Sequence, residues 1–491
     1  MPPPLPLPLG DQIRIRESAN LEAALAAFRL AGVRHFLIPR PEPHNVHIGL
    51  AGEDATTFLS AVADVDPDLR VSWRAGRGWR TVAAPDALTG LADGASIFWL
   101  HSEPRAASTR GVKDAARAVG VQLWRPGTSG YHESPVNNPY TSVVNLDSAP
   151  VAHRARTGQQ VSTFPVFATD DIAHVGFDID AVYLWVDDAD PAWRARRDAT
   201  LRDLTGGNPD DSAHEARFRQ HDELRYSLRS LSTFAPWIRH VFLVTDQQRP
   251  AWLDSDCPRI TVVDHRDLLG GAGRLPTYNS HALAARLHHI DGLADHYLYL
   301  NDDVFFGRRT GAELWFGGNG LPRFHNTMTK VAPGDLAELP TYAAARNHTL
   351  ELVEKLTGRA RRRNLQHGPH AMSRSLLEEL EASIPEEFTR TWNSQVRGDR
   401  DIVIEWLHNQ YGYCTGRALE GHGVRYRYFN LGHPEVEAQL LEASTNMPDT
   451  FCINDAEGDR TTAQREQSIR SFLEPLLPEP SEFERRSPLE P

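Results

Sequence analysis

The stretch HYLYLNDDVFFG (296–307) sets two carboxylates, Asp302 and Asp303, side by side where an apolar strand should end. Adjacent acids at a strand end offer oxygen ligands to a hard cation, and magnesium takes one or two carboxylates together with substrate phosphates. Such a pair therefore suits a divalent ion bound to a nucleotide pyrophosphate. The structural alternative is an ordinary strand exit held by Asx turns. The pattern recurs in YLWVDDADP, an apolar run followed by Asp187, Asp188 and Asp190, and in FLVTD, which ends at Asp246. Three strands that deliver acids or hydroxyls to one edge argue for a shared site. Asp190 before Pro191 also reads as a helix N-cap with proline in the first turn.

Further candidates lie downstream. His367 and His370 flank Gly-Pro in HGPH, a turn-forming pair expected ahead of a helix start. An imidazole has the right unperturbed pKa to take a proton near neutral pH. The chain holds 22 histidines, so most must be structural or solvated. Arg397 in QVRGD has the forked donor geometry that grips a phosphate, although a lone arginine also suits a surface ion pair. Asn454 and Asp455 in INDA could bind polar groups or form a turn. Trp185 could stack on a base or belong to the core. The basic run RARRR (359–363) could meet an anionic acceptor, or be a solvated helix end whose charge suits the macrodipole.

These residues need a frame. From 178 onward, apolar strand-like runs alternate with amphipathic helical ones, among them HEARFRQHDELRYSLRSLSTFAP (214–236) and SHALAARLHHI. That alternation predicts α/β architecture, a mostly parallel sheet with helices on its faces and ligands at the strand ends. GT-A-type nucleotide-sugar enzymes use such an edge, so a GT-A/Rossmann-like catalytic domain over 178–485 is expected, with a mainly helical part at about 335–420. Residues 11–126 read as a small α/β N-terminal domain, with a helix in NLEAALAAFRLAG capped by Asn20. Residues 127–177 are rich in turn-formers and read as a linker region, and residues 1–10 as a flexible proline-rich tail.

Composition narrows the class. The 491 residues carry a formal net charge of -13 and 40% hydrophobic residues, which argues for a globular chain and against a general nucleic-acid or anionic-membrane binder. Three widely spaced cysteines make a disulfide framework or structural zinc site a poor expectation and fit a reducing cytoplasm. No apolar run approaches a membrane span. Any membrane contact would be peripheral, at the inner face.

Taken together, DIDAVYLWVDDADPAW, the run from RFRQHDELRYSLRSLSTFAP to HYLYLNDDVFFG, QHGPHAMSRSLLEELEASIPEEFTRTWNSQVR and FCINDAEGD resemble the four conserved regions of the Stealth phosphotransferases. That family includes bacterial capsular and exopolysaccharide enzymes and the lysosomal-enzyme N-acetylglucosamine-1-phosphotransferase. The resemblance implies a magnesium or manganese ion on Asp302 and Asp303. It implies catalytic roles for Asp303, His367 and Arg397, and substrate binding by Trp185, Asp187, Asn279, Asn454 and Asp455. It further implies transfer of a sugar 1-phosphate from a UDP-sugar, with UDP-N-acetylglucosamine preferred, to a glycan hydroxyl with release of UMP. The partners would be the donor, a polysaccharide acceptor and the membrane export machinery, with no nucleic acid; a homodimer is compatible. A GT-A glycosyltransferase releasing UDP is the runner-up, and a non-catalytic nucleotide-sugar binder the third reading. One departure stands out: after LPTYNSHAL the resemblance implies glutamate, and this chain has Ala284.

Overall fold

The computed structural model describes residues 9–39, 46–102, 118–128, 130–155, 157–169, 171–205, 218–455, 458 and 460–485. The proline-rich tail and residues 214–217 of the expected 214–236 helix fall largely outside them. Two compact units, Met1–His174 and Val175–Pro491, divide the chain.

The first unit is α/β, as its alternation of patterns predicts. Its main sheet runs in the order His35–Ile38, His47–Ala51, Val119–Pro126, Ile97–His101, Arg70–Ala75, Gly78–Ala83. Helices Leu9–Ala31 and Ala55–Val65 supply Leu21, Phe28 and Phe58 to a core shared with Trp73 and Phe98. Asn20 does not cap the first helix, which starts at Leu9. Its side chain is buried and accepts a hydrogen bond from the Ser102 amide at 3.1 Å, so a tertiary partner has replaced the local one. The helix stops where Gly32 takes φ +65°, a conformation costly for residues with a Cβ. Residues 127–174 are no linker. They form strands Tyr131–Glu133, Val143–Asn145, Val151–Arg154 and Gln160–Thr163 and bury Tyr140, Val144, Phe164 and Phe167 against Phe36 and Trp124. Turn-formers there mark short strands packed on a core.

In the second unit, elements are numbered from its own start: β1 (Ile179–Leu184), α1 (Pro191–Thr205), α2 (Glu223–Phe234), β2 (Val241–Thr245), β3 (Ile260–Asp264), α3 (Ser280–Ala284), β4 (His296–Asn301), β5 (Val304–Phe306), α4 (Thr341–Thr357), β6 (His370–Ser373), α5 (Arg374–Ser383), α6 (Ile404–Cys414), β7 (Tyr426–Asn430), β8 (Thr450–Asn454) and α7 (Thr462–Leu476). The five-stranded sheet has the order β3-β2-β1-β4-β6. Its first four strands are parallel and β6 is antiparallel. β1 and β2 are buried along their whole length, as continuous apolar runs in a doubly covered sheet should be. Alternate side chains feed two cores. Val182, Leu184, Tyr297 and Tyr299 face Leu283, Leu376 and Leu407 on one side, and Ala181, Tyr183, Leu298 and Leu300 face Leu224, Leu228 and Leu231 of α2 on the other. A smaller sheet, β5-β8-β7, follows β4.

The chain leaves β1 toward β2 on one side and returns to β4 on the other. The β1/β4 border is therefore a topological switch point, where open α/β sheets leave a crevice at the carboxyl ends of their strands. The 335–420 stretch is mainly helical but also donates β6 to the sheet. HGPH accordingly leads into a strand, with α5 beginning only after Ser373. Among the described residues, no helix is long and apolar enough to cross a membrane.

The C-terminal segment straps this unit together. Phe483 is fully buried, and Glu484 accepts from Arg229 Nε at 2.7 Å and Nη2 at 2.8 Å, from Arg225 Nε at 2.6 Å and from the Ser481 amide at 2.8 Å. Burial opposes the charge of Glu484, but the bonds from Arg229, Ser481 and Arg225 outweigh it and hold the carboxyl down at about 2, against 4.5 ordinarily. A depressed carboxyl stabilises the fold fully above its unfolded pKa and loses that effect as pH falls toward the folded one. Glu484→Gln should therefore cost on the order of 2 kcal/mol near pH 7, below the range for a fully buried pair because Arg225 is partly open. In urea titrations the gap between wild type and variant should shrink as pH falls from about 4.5 to about 2. A gap that ignores pH would show that the glutamate acts through packing alone.

Candidate active site

A cleft of about 580 Å³ opens at the carboxyl ends of β1 and β4, lined by Trp185 after the first strand and by Asn301, Asp302 and Asp303 at the end of the second. Its two walls come from opposite faces of the sheet. One is built by Arg219, Gln220 and Glu223 at the start of α2 together with Asn454 and Asp455 after β8. The other is built by Ser280, His281 and Ala284 of α3, Tyr342 of α4, Arg397 in the loop before α6, and Glu405 of α6. His367, just before β6, enters beside Asp303.

The acidic pair is held from both sides. Gln220 Nε2 donates to Asp302 Oδ2 at 2.6 Å, and Trp185 Nε1 donates to Gln220 Oε1 at 2.9 Å. Trp185 thus is buried, lines the cleft and steers Asp302 through Gln220. Asp303 Oδ2 accepts from Asn454 Nδ2 at 3.2 Å and from the Cys452 thiol at 3.3 Å. The turn from β4 into β5 makes this possible, because the Ile453 amide donates to the Asp303 carbonyl at 3.0 Å and so brings the end of β8 alongside. His367 Nε2 lies 3.6 Å from Asp303 Oδ1 and 3.2 Å from the Asn301 amide nitrogen, and Tyr426 OH donates to the His367 carbonyl at 3.0 Å.

The two acids titrate apart for a physical reason. Burial, then the neighbouring Asp303 charge, raise Asp302 to about 7. Burial also opposes ionisation of Asp303, but His367 and the donors from Asn454 and Cys452 bring its carboxyl below the ordinary value. Burial likewise works against a charged His367, and Asp303 overcomes it, so the imidazole holds its proton more firmly than usual. Glu223 is pushed well up by burial and by Asp302. The crowded negative charge and the buried Asp303 Oδ1, which has no hydrogen-bond partner among the described residues, fit a divalent cation with oxygen ligands. Asp303, His367 and Cys452 also offer ligand atoms within 4.8 Å of one another. For a hard ion the carboxylates of Asp302 and Asp303 are the natural holders.

Other expected residues lie elsewhere. Asp187 and Asp190 are not among the cleft-lining residues. The Asp187 amide donates to Gln248 Oε1 and its carboxylate accepts from the Ala189 amide, both at 2.9 Å. Asp190 Oδ1 accepts from Ala192 N at 2.9 Å, which is the helix-capping alternative for Asp190-Pro191. Asp246 is buried in an ion pair with Arg196 at 3.0 Å. The three-strand acidic edge therefore reduces to the pair on β4. Asp455 does reach the cleft, but its oxygens are taken by Arg219 at 3.0 Å, His221 at 3.2 Å and Arg465. It presents Arg219 instead of a free carboxylate. His370 is not a cleft residue, and burial drives its imidazole down to about 3. In the RARRR run, Arg361 pairs with Glu420 at 2.7 Å and Arg362 Nη1 donates to Asn347 Oδ1 at 2.8 Å.

Asn279 is fully buried behind the wall. Its Oδ1 caps α3 through the His281 amide at 3.0 Å, and its Nδ2 donates to Ser394 O at 3.1 Å, Val396 O at 3.2 Å and Asp401 Oδ2 at 2.8 Å. It shapes the loop that presents Arg397, whose Nη2 donates to Ser280 Oγ at 2.8 Å. Sequence reasoning missed Arg219 and Gln220 because a helix was expected across them. α2 instead starts at Glu223, after Asp222 takes φ 67°. Glu405 was missed too, although a lone acid in the apolar run IVIEWL was a readable signal.

Four segments match the Stealth family: conserved region 1 at 177–205, region 2 at 217–324, region 3 at 366–412 and region 4 at 443–490. The chain belongs to the Stealth family. An exopolysaccharide phosphotransferase of Streptomyces coelicolor is 37% identical over 507 residues, covering 98% of this chain and 84% of that protein. One from Nocardia farcinica is 33% identical, covering 84% of this chain and 83% of that one. The exopolysaccharide phosphotransferase CpsY of Mycobacterium tuberculosis is 40% identical over 318 residues, 63% of this chain and 59% of that one. Among solved structures, galactosyltransferase LgtC with donor and acceptor sugar analogs aligns over 63% of this chain and 98% of its own, at 14% identity and TM-score 0.30. A likeness that faint bears on neither ligand nor reaction.

Asn279→Ala should remove the α3 cap and strip buried Asp401 of a donor. Stability should fall by on the order of 2 kcal/mol, read by urea unfolding. Unchanged stability would free the amide for a ligand role.

Proposed function

We propose that the protein transfers a sugar 1-phosphate from a UDP-sugar, with N-acetylglucosamine as the preferred sugar, to a hydroxyl of an exopolysaccharide or capsular glycan, releasing UMP. The observation that carries this reading is the meeting of Asp302, Asp303, His367 and Arg397 in one cleft at the switch point of the sheet. Membership of a family whose similar members are called exopolysaccharide phosphotransferases supports the acceptor class. Three free, buried cysteines suit a reducing cytoplasm, where we place the enzyme, working peripherally at the membrane's inner face.

Phosphoryl transfer is mostly positioning and charge neutralisation. The acceptor oxygen forms a bond to the sugar-bearing phosphorus while the bond from that phosphorus to UMP breaks. A magnesium or manganese ion on Asp302 and Asp303 would supply charge neutralisation of the pyrophosphate. Arg397, which among the described residues has no carboxylate within salt-bridge distance and donates to Ser280 Oγ, can turn its guanidinium onto the transferred phosphate. His367 takes the proton of the attacking hydroxyl, and Asp303, 3.6 Å away, stabilises the imidazolium that results. Asn454 and Cys452 aim Asp303. Ala284 lies on the wall where the family resemblance implies glutamate, and Glu405 supplies a carboxylate to that same wall.

Nucleotide analysis after incubation with UDP-N-acetylglucosamine, magnesium and a cell-surface glycan extract should show acceptor-dependent UMP. UDP in its place would make the protein a GT-A-type glycosyltransferase. Asp303→Asn should lower turnover by roughly 10³-fold, and Arg397→Lys by roughly 10²-fold, because a point charge does not replace a fork. Full activity in Arg397→Lys would reduce Arg397 to a general cation.

A further inference from the structure

The acids of the cleft differ in whether the protein already uses them. Asp302 accepts from Gln220, Asp303 from Asn454 and Cys452, Asp455 from Arg219 and Arg465, and Glu223 from the His221 amide at 2.5 Å. Glu405 differs. Among the described residues no side-chain donor lies within hydrogen-bond distance of its carboxylate and no cation within salt-bridge distance; its own backbone amide is its one hydrogen-bonding partner. Yet it sits in the first turn of α6 between buried Ile404 and Trp406, and its side chain lines the cleft. Its half-buried carboxylate, engaged only by its own amide among the described residues, has lone pairs free for a ligand's donors in the cleft. Burial accordingly raises its pKa, with His367 and Arg397 acting in the opposite direction.

Arg397 is its counterpart on the same wall, a cation with no carboxylate within salt-bridge distance among the described residues, its guanidinium carbon 5.9 Å from the Tyr342 ring centre. The wall thus presents an anion-binding fork, an aromatic ring and an unspent hydrogen-bond acceptor. A phosphate bearing a polyol has the complementary groups, because its hydroxyls donate and its C–H face packs on an aromatic ring. The opposite wall carries Gln220, Arg219 and Asn454, which already serve Asp302, Asp455 and Asp303.

Resting on the sugar-phosphate reading above, we infer that the α3–α4–α6 wall is the binding pocket for the hexose ring of the transferred sugar 1-phosphate. Glu405 accepts hydrogen bonds from its ring hydroxyls, Tyr342 packs against the ring and Arg397 holds its phosphate. Glu405 is then the residue that sets sugar specificity, and a hexose lacking the hydroxyl it reads is rejected.

The test uses the full chain with magnesium and no nucleotide. N-acetylglucosamine 1-phosphate, glucose 1-phosphate, galactose 1-phosphate and inorganic phosphate are titrated by calorimetry. At least one hexose 1-phosphate should bind roughly tenfold more tightly than inorganic phosphate, the scale of one hydrogen bond to a charged group. Glu405→Gln should bring that ratio to within about twofold of unity while phosphate affinity stays the same. Glu405→Asp, one methylene shorter, should give an intermediate ratio, and unchanged melting curves would establish that both variants fold. A hexose ratio near unity in the wild type, or one that survives Glu405→Gln, overturns the pocket; the latter result together with lost turnover would assign Glu405 to the acceptor. UDP titrated in parallel separates the two readings. Failure to bind UDP removes the nucleotide donor, whereas the hexose-to-phosphate ratio still supports or refutes the pocket.

Discussion

Two carboxylates on consecutive residues at the end of a buried strand repel each other, and the second unit is organised around holding them there. Like charges at such separation cannot both ionise cheaply out of water. The protein divides the problem: Asp302 has the Gln220 side-chain amide and nearby backbone amides and a pKa near 7, whereas Asp303 receives His367, Asn454 and Cys452. Each supporting group comes from a different part of the chain. Gln220 precedes α2, His367 precedes β6, and Cys452 and Asn454 end β8. No local folding event could assemble them.

The sheet makes that assembly possible. Parallel strands all point their carboxyl ends one way, so β1 and β4 open a crevice at their border and the loops that follow them meet there. Helices on the two faces then extend the crevice into walls of different character. The α2 side is a network of amides and ion pairs already engaged within the protein, which rigidifies Asp302 and Asp303. On the α3–α4–α6 side, among the described residues, Arg397 has no carboxylate within salt-bridge distance and Glu405 no side-chain donor. Asn279 shows how deep the positioning goes, since one buried amide caps α3 and gathers the Arg397 loop.

The C-terminal strap extends the same logic to stability. Phe483 and Glu484 return to α2, the helix whose start carries Glu223 and follows Gln220. Losing the strap would therefore loosen the wall that steers Asp302, although the strap does not touch the cleft.

Much of this was legible in the chain by itself. Continuous apolar runs announced buried strands, their alternation with amphipathic helices announced an α/β sheet, and the Asp302–Asp303 pair announced the edge that matters, because these signals are local and periodic. His367, Arg397 and Asn454 were legible only as members of a pattern, since each residue type alone is more often structural. Tertiary structure decided the rest. It turned Asp187, Asp190 and Asp246 into caps and ion pairs, put Asn279 behind the wall, built residues 127–174 into a core, and brought Glu405 into the cleft across more than a hundred residues from Ser280 and Asp302. The reason is that a side chain's partner is set by which strands neighbour one another and where their loops converge. Sequence periodicity reports which face of an element is buried, and not what that face will meet.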